Sequence, residues 1–303
     1  MTINTKNLID LTTPQYLLIA IVSPLSIYLV INAKFPSLEI VPIMVSMMLA
    51  ILGFNTFNQI SDIELDKIDK PLRPLISKKV TIKEATLLTV VFFSASLLIG
   101  AFINLIFFTL MLSFFLIAFA YCYKPIYLKR YFWASSVVGA IVYGIIPFVS
   151  IATISSKPFN IIFLLFFTSL AAIISNTKDF EDTLGEKKFG IKSIPLIFGS
   201  YKAAIFILIF ECGLILGIGY LALQRYIEYK FIYASLISLL TFALTCDPFL
   251  KEIRKIKHKN IAFSETNNIK IKQIITQSDA STISMIFGLF IQIIFGLTSI
   301  STF

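Results

Sequence analysis

A chain of 303 residues that is 57% hydrophobic and 14% charged excludes a soluble globule, whose water-facing surface needs about a quarter of its residues charged. The net charge of +9 calls for no nucleic-acid partner, because the basic residues fall in loops between apolar stretches, where topology and anionic lipid headgroups account for them. Cys122, Cys212 and Cys246 have no paired spacing and the single His258 lies far from them, so neither a disulfide frame nor a zinc site is expected, and the thiols read as small apolar fillers.

In chain order, stretches long enough to cross about 30 Å of hydrocarbon lie near 14–32, 40–57, 86–104, 106–121, 133–152, 158–175, 203–223, 231–246 and 282–302, with a tight turn needed around Ile103 and Asn104. This predicts an all-α polytopic membrane protein of about nine transmembrane helices. No Pro/Gly/Ser-rich linker divides the chain, so residues 1–303 read as a single transmembrane domain. The first stretch runs into the second without a small-residue cleavage site, which marks a retained helix rather than a signal peptide. With the N-terminus inside, 22 of the 26 Lys and Arg fall on the cytoplasmic side, and only Lys34, Lys157, Arg225 and Lys230 fall opposite. The positive-inside rule therefore places the N-terminus and both acidic segments, described next, at the cytoplasmic face, and the C-terminus outside.

Eight of the 17 acids occupy two short windows, NQISDIELDKID and KDFEDTLGE. In the first, Asp62, Asp66 and Asp69 are spaced i, i+4, i+7 with Asn58 one turn earlier; in the second, Asp179, Asp182 and Glu186 are spaced i, i+3, i+7. Each set lines one face of a helix, and like charges so arranged destabilise it unless something positive offsets them. Local ion pairs with Lys67, Lys70, Arg73, Lys178, Lys187 and Lys188 are one offset. The other is Mg²⁺, a hard cation held by carboxylates together with substrate phosphates. Two facing stripes suit a magnesium diphosphate, with Arg73 and Lys129 or Arg130 on its outer oxygens. A diphosphate at an apolar cavity opening near the cytoplasmic face points to a lipid diphosphate, whose departure needs charge stabilisation. The carbocation left behind needs aromatic faces and a dry pocket, and the chain has 30 Phe and 12 Tyr.

NQISDIELDKIDKPLRPLIS resembles the first signature of the UbiA superfamily of intramembrane prenyltransferases, and KDFEDTLGEKKFGIKSIPLIFG resembles the second. The loop YKPIYLKR at residues 123–130 is similar to the Tyr-containing, Lys-Arg-ended loop between them. The resemblance covers essentially the whole chain. It implies a prenyl diphosphate substrate bound through Mg²⁺ by Asn58, Asp62, Asp66, Asp179 and Asp182, with Glu186 extending the metal set and Asp69 the first stripe. It implies Arg73, Lys129 and Arg130 as diphosphate contacts and Tyr123 as a residue near the reacting carbon. Gln59 stands where a second Asp is common, and Glu186 replaces the usual closing Asp.

Gln59 and the GIKSIPLIFG run point to an aromatic acceptor of the homogentisate, hydroxybenzoate or chlorophyllide kind. KDFED also resembles the archaeal branch that prenylates a glyceryl phosphate lipid, and a membrane terpene cyclase would use the same diphosphate site without an acceptor. From a different class, a cation transporter or channel would distribute acids along its spans, where only Glu211 is found. Glu211 reads as a helix-interior hydrogen bond or as a contact for acceptor or proton. Asp247, followed by Pro248, is expected to end the eighth helix.

Overall fold

The computed structural model describes residues 5–13, 16–155, 157–265 and 280–301. Lys270 and Lys272, part of the last basic loop in the topology above, lie outside the described residues. Among the described residues every regular element is helical, as a chain in hydrocarbon must be when each backbone N–H and C=O needs an internal partner.

A short helix α1 (Thr5–Thr12) precedes α2 (Leu17–Asn32) and α3 (Ile40–Ser61), and α3 passes through a bend at Asp62 into α4 (Ile63–Asp69). Helices α5 (Ile82–Ile103) and α6 (Leu105–Cys122) are separated by Asn104 alone, as the tight turn expected there requires. Asn104 takes extended backbone and its side chain accepts from the Phe107 N–H at 2.8 Å, which caps α6. The next crossing is α7 (Ala134–Gly139), a π turn (Ala140–Ile145) and α8 (Ile146–Ala152). The wide turn lies just before Pro147, which has no N–H to return to the preceding turn. Helix α9 (Ile161–Ile174) leads into a 3₁₀ turn (Thr177–Phe180), and α10 (Thr183–Lys188), α11 (Ile194–Phe198), α12 (Ser200–Leu223), α13 (Phe231–Glu265) and α14 (Ala280–Ile300) complete the bundle.

Eight segments are long and apolar enough to cross a membrane: Ile40–Ser61, Ile82–Ile103, Leu105–Cys122, Ala134–Ala152, Ile161–Phe180, Ser200–Leu223, Phe231–Lys255 and Ala280–Ile300. The remaining expected span is α2, whose 16 residues reach only about 24 Å at 1.5 Å per residue. The molecule is thus a multi-pass integral membrane protein, with eight segments of spanning length and one shorter apolar helix among the described residues. A second expectation is corrected at Asp247: α13 runs straight through Pro248. Asp247 pairs with Lys251 at 2.5 Å one turn on, so it sits within the helix rather than at its end.

Small polar residues let the helices approach. Ser46 on α3 and Ser96 on α5 each donate to the other's backbone carbonyl, at 2.9 and 2.8 Å, the kind of glue that membrane helices use where hydrophobicity cannot drive association. Phe54 packs edge-to-face on Phe114 and Tyr121, and Phe93 joins the cluster tilted against Phe114. At one end of the bundle Ser61 donates to the Cys122 carbonyl, Ser135 to Asp179 and Ser281 to Glu181, so both acidic segments gather there. At the other end Lys157 donates to the Asn32 carbonyl at 3.1 Å and Lys230 to the Ser299 carbonyl at 2.6 Å. These are two of the four cations assigned to the face opposite the acids.

Candidate functional site

The first acidic segment is the bent junction of α3 and α4. Backbone hydrogen bonds continue across the bend, from the Asp62 N–H to Asn58 at 2.9 Å and from the Asp66 N–H to Asp62 at 2.7 Å. Asp62, Asp66 and Asp69 are all buried, at 2–3% exposure, as their common spacing anticipates. The Asn58 amide donates to Asp62 Oδ2 at 3.0 Å. The turn after α4, Lys70-Pro-Leu-Arg-Pro, returns Arg73 onto Asp66 as a buried ion pair. Burial pushes the Asp66 carboxyl above the usual carboxylate range, and Arg73 and Lys70 oppose that push.

Asp62 receives its partners from the loop after α6. Tyr127 has left-handed backbone, φ 43°, uncommon for a residue with a side chain. Its hydroxyl donates to Asp62 Oδ1 at 3.3 Å, and Lys129 in the following 3₁₀ turn reaches Asp62 Oδ2 at 2.5 Å. Burial penalises the Lys129 ammonium, yet Asp62 and more distant carboxylates hold its pKa above the ordinary lysine value.

The second segment is not one stripe. Asp179 lies in the 3₁₀ turn, Asp182 at the junction before α10 and Glu186 within α10, so the three carboxyls take different partners. Asp179 accepts from Ser135 at 3.2 Å, and Asp182 pairs across the site with Lys70 at 2.5 Å. Burial opposes the charged form of Asp182, but Lys70, Lys129 and Arg73 together outweigh it and hold the carboxyl down to about 2. Burial, and then the nearby Asp179, push Glu186 well above the usual range.

The two segments are also clasped directly. Both oxygens of Asp69 accept from the Gly185 N–H, at 3.1 and 2.9 Å. A Cβ at Gly185 would meet Asp69 Oδ2, and would lie 2.8 Å from Leu65 Cγ and 3.0 Å from the Leu65 carbonyl, so only glycine permits this approach. Burial and the charge of Asp182 raise the Asp69 carboxyl to about 8.

Above the carboxylates opens a cavity with two kinds of wall. Asn58, Gln59, Lys70, Arg73, Lys129 and Asp182 line its ionic end, and Ile19, Val138, Ala171, Ile174, Met285 and Leu289 line its apolar depth, with Tyr16, Tyr121 and Tyr143 between. Gln59 donates to the Leu11 carbonyl at 2.5 Å, fixing α1 over the ionic end. The oxygens of Asn58, Asp62, Asp66, Asp179, Asp182 and Glu186 are hard donors of the type magnesium takes. Among the described residues no three acidic, cysteine or histidine side chains converge on one point. A cation here would complete its shell with phosphate oxygens and water, which is how magnesium is commonly bound.

Two residues expected at the site are elsewhere. Tyr123 is 43% exposed and stacks on Phe119 at 4.6 Å, and Arg130 is exposed over the Tyr131 ring. Tyr127 and Lys129 contact Asp62 in their place. Lys70, Tyr121, Tyr127, Ser135 and Lys178 enter the site without having been singled out as ligand contacts; Lys70 and Lys178 had been read as local partners of their own segments. Glu211 is buried in α12 with Oε1 unpaired among the described residues, and it does not line this cavity.

The UbiA prenyltransferase family model matches residues 17–263. The digeranylgeranylglyceryl phosphate synthase of Methanocaldococcus jannaschii is 32% identical over 192 residues, covering 59% of this chain and 66% of its own. The chloroplastic 2-acyl-4-prenylphloroglucinol 6-prenyltransferase of Humulus lupulus is 34% identical over 158 residues, covering 48% and 38%. The matched stretches thus span less than two thirds of these relatives' own length. A UbiA homolog from Archaeoglobus fulgidus, solved bound to DMAPP and Mg²⁺, shares the fold with a TM-score of 0.65 at 19% identity, covering 98% of this chain and 100% of that one. With the family model matched across most of its length and the same helical architecture, the chain belongs to the UbiA prenyltransferase family.

Proposed function

We propose that this protein transfers a prenyl group from an allylic prenyl diphosphate to a prenylated glyceryl phosphate and releases diphosphate. The observation that carries the reading is the cavity itself, in which Asp182 and the cations Lys70, Arg73 and Lys129 at one end face an apolar interior, with Asp66 and Asp62 paired to two of those cations. Such a shape takes a molecule with an anionic head and a hydrocarbon tail. Asn58, Asp62, Asp66, Asp179, Asp182 and Glu186 are the residues that would hold magnesium, which when bound supplies positive charge to the leaving diphosphate. Arg73, Lys129 and Lys70 exchange their carboxylate partners for diphosphate oxygens, and their contribution grows as charge accumulates there. The C1–O bond breaks with its electron pair going to diphosphate, and a hydroxyl oxygen of the acceptor bonds to C1 and gives up its proton to the released diphosphate. Tyr16, Tyr121 and Tyr143 line the cavity, where aromatic rings would stabilise the intervening cation. Residues 1–303 act as one domain, with both acidic segments on the cytoplasmic side.

The acceptor rests on the archaeal relative, which displaces the aromatic acceptor favoured on sequence grounds. The aromatic ring is kept as a second reading because of the Humulus lupulus relative. Full-length protein in vesicles, given geranylgeranyl diphosphate, Mg²⁺ and either geranylgeranylglyceryl phosphate, homogentisate or 4-hydroxybenzoate, tests both. Product from the phosphorylated lipid is expected. Product from an aromatic acid alone replaces the acceptor, a cyclised hydrocarbon formed without acceptor replaces transfer, and no consumption of the diphosphate overturns the reading.

A further inference from the structure

The apolar depth of the cavity ends on a polar patch that no step above uses. On α2 the lining residues are Ile19 and Ser23, and on α14 they run from Ser281 through Met285, Gly288 and Leu289 to Gln292. Ser23 and Gln292 are therefore the last that either helix contributes. Just beyond them the two helices touch. A Cβ at Gly296 would lie 3.1 Å from Ser26 Cα, and Ser299 Oγ donates to the Leu29 carbonyl at 2.5 Å. Both contacts have the same sequence offset, so α2 and α14 run parallel, and one turn back Ser23 comes level with Gln292 and Ile293. Ser23 is 1% and Gln292 5% exposed, and Ser23 Oγ and Gln292 Oε1 have no hydrogen-bond partner among the described residues. Pro24 adds to the deficit inside α2, because it has no N–H to return to the Ala20 carbonyl.

The depth of the patch makes it a ruler. Ser281 marks the ionic end, where its hydroxyl donates to Glu181 of the second acidic segment. Gln292 lies eleven residues further along α14, about 16 Å at 1.5 Å per residue. An extended chain gains roughly 1.1–1.2 Å per bond, so the main chain of a geranylgeranyl group spans about 17 Å and that of the next homologue, farnesylgeranyl, about 22 Å. The diphosphate stays with the cations at the ionic end, so what reaches Ser23 and Gln292 is hydrocarbon, which satisfies neither an amide nor a hydroxyl. A tail that ends above the patch leaves those groups to water. A longer tail strips them and runs into the contact between α2 and α14. We infer that Gln292, with Ser23, is the stop that limits the donor to a prenyl chain of geranylgeranyl length; this rests on the prenyl diphosphate donor proposed above.

Direct binding of farnesyl, geranylgeranyl and farnesylgeranyl diphosphates to the full chain in vesicles with Mg²⁺ tests this without an acceptor. Wild-type protein is expected to bind geranylgeranyl diphosphate about 5- to 100-fold tighter than farnesylgeranyl diphosphate, the range for stranding a buried polar group. Gln292→Ala removes the amide and opens space, and should bring those two ligands within about threefold of each other while farnesyl diphosphate shifts less than about threefold. Gln292→Met keeps the bulk and loses the hydrogen bonding. A gap closed by both variants supports the stop as one of polarity, and a gap closed by Gln292→Ala alone supports it as one of bulk. Thermal melting checks the fold of each variant, and Ser23→Ala, expected to narrow the gap in the same direction, takes their place if neither folds. An unchanged gap in folded variants overturns the inference. Equal binding of both lengths by wild-type protein also overturns it, since the tail then leaves the cavity sideways into lipid. Binding of no prenyl diphosphate at all overturns the donor assignment and this inference together.

Discussion

The two acidic segments look alike as sequence and are built differently. In the first, Asp62 and Asp66 each own a cation, Lys129 and Arg73. In the second, Asp182 borrows its cation from the first segment, Asp179 has a serine hydroxyl, and Glu186 has no ion pair among the described residues. The first segment continues a spanning helix and inherits its rigidity, while the second is a 3₁₀ turn and a six-residue helix held in place by what it touches. The lesson is that the first segment is held by its own helix and by the loop after α6, and the second by contacts that distant elements bring to it.

Breaking either half of the carboxylate set gives the largest effect. Asp66→Asn and Asp182→Asn keep the shape and remove one charge each, and each is expected to lower initial rates of prenyl transfer on the order of 10³-fold. Retention of a tenth of wild-type activity by either variant would remove that carboxylate from the site. A smaller effect is expected from Arg73→Lys, which keeps the charge and loses the planar fork. Its kcat should fall about 10- to 100-fold with a lesser change in KM, since the contact strengthens as the leaving group charges; steady-state kinetics showing the reverse split would assign Arg73 to ground-state binding.

The dependence of the second segment on the first is sharpened at Gly185. Gly185→Ala forces a Cβ against Asp69 and Leu65 and is expected to destabilise by about 1–3 kcal/mol, the range for overpacking. Gly213→Ala, with nothing within 4 Å of the added carbon, is the control in the same melting experiment, and equal melting temperatures for the two would mean the clasp is loose. The smallest effect is one of pH. Asp69 has a carboxyl raised from 3.8 to about 8 by burial and then by Asp182, so the folded state holds a proton that the unfolded state releases. Its contribution to stability is complete below pH about 4 and is lost as pH rises toward about 8. Wild-type melting in EDTA should fall across that window, and Asp69→Asn should flatten the fall; an unchanged slope would locate the titration elsewhere.

Asp62, Asp66 and Arg73 could be read from the chain because their spacing is local, whereas Lys129 reaches Asp62 across 67 residues and was legible only as a cation in the loop between the acidic segments. Lys70 could not be matched to Asp182, nor Asp69 to Gly185, because those partners come from the far side of five helices. Tyr123 and Arg130, expected at the site, lie on the exposed side of their loop, while Tyr127, with left-handed backbone, and Lys129 contact Asp62, and no residue in YKPIYLKR announces that turn. Proline at 248 misled for the opposite reason: its local rule as a helix breaker does not hold in α13, which continues through it. The short α2 shows that an apolar run sets where a helix forms more securely than how much hydrocarbon it crosses.

The clasp between Asp69 and the Gly185 N–H joins residues 116 positions apart, and that has a consequence for biogenesis. At about 5–20 residues per second of synthesis, Asp69 leaves the ribosome roughly 6 to 23 s before its partner does. Helices α5 to α9 must be inserted in that interval, so Asp69 waits without its partner. Docking of α10 is what brings the Gly185 N–H onto it. The clasp thus closes late, and a nascent chain halted before Gly185 has α1 to α9 but lacks both the clasp and the helices from α10 to α14.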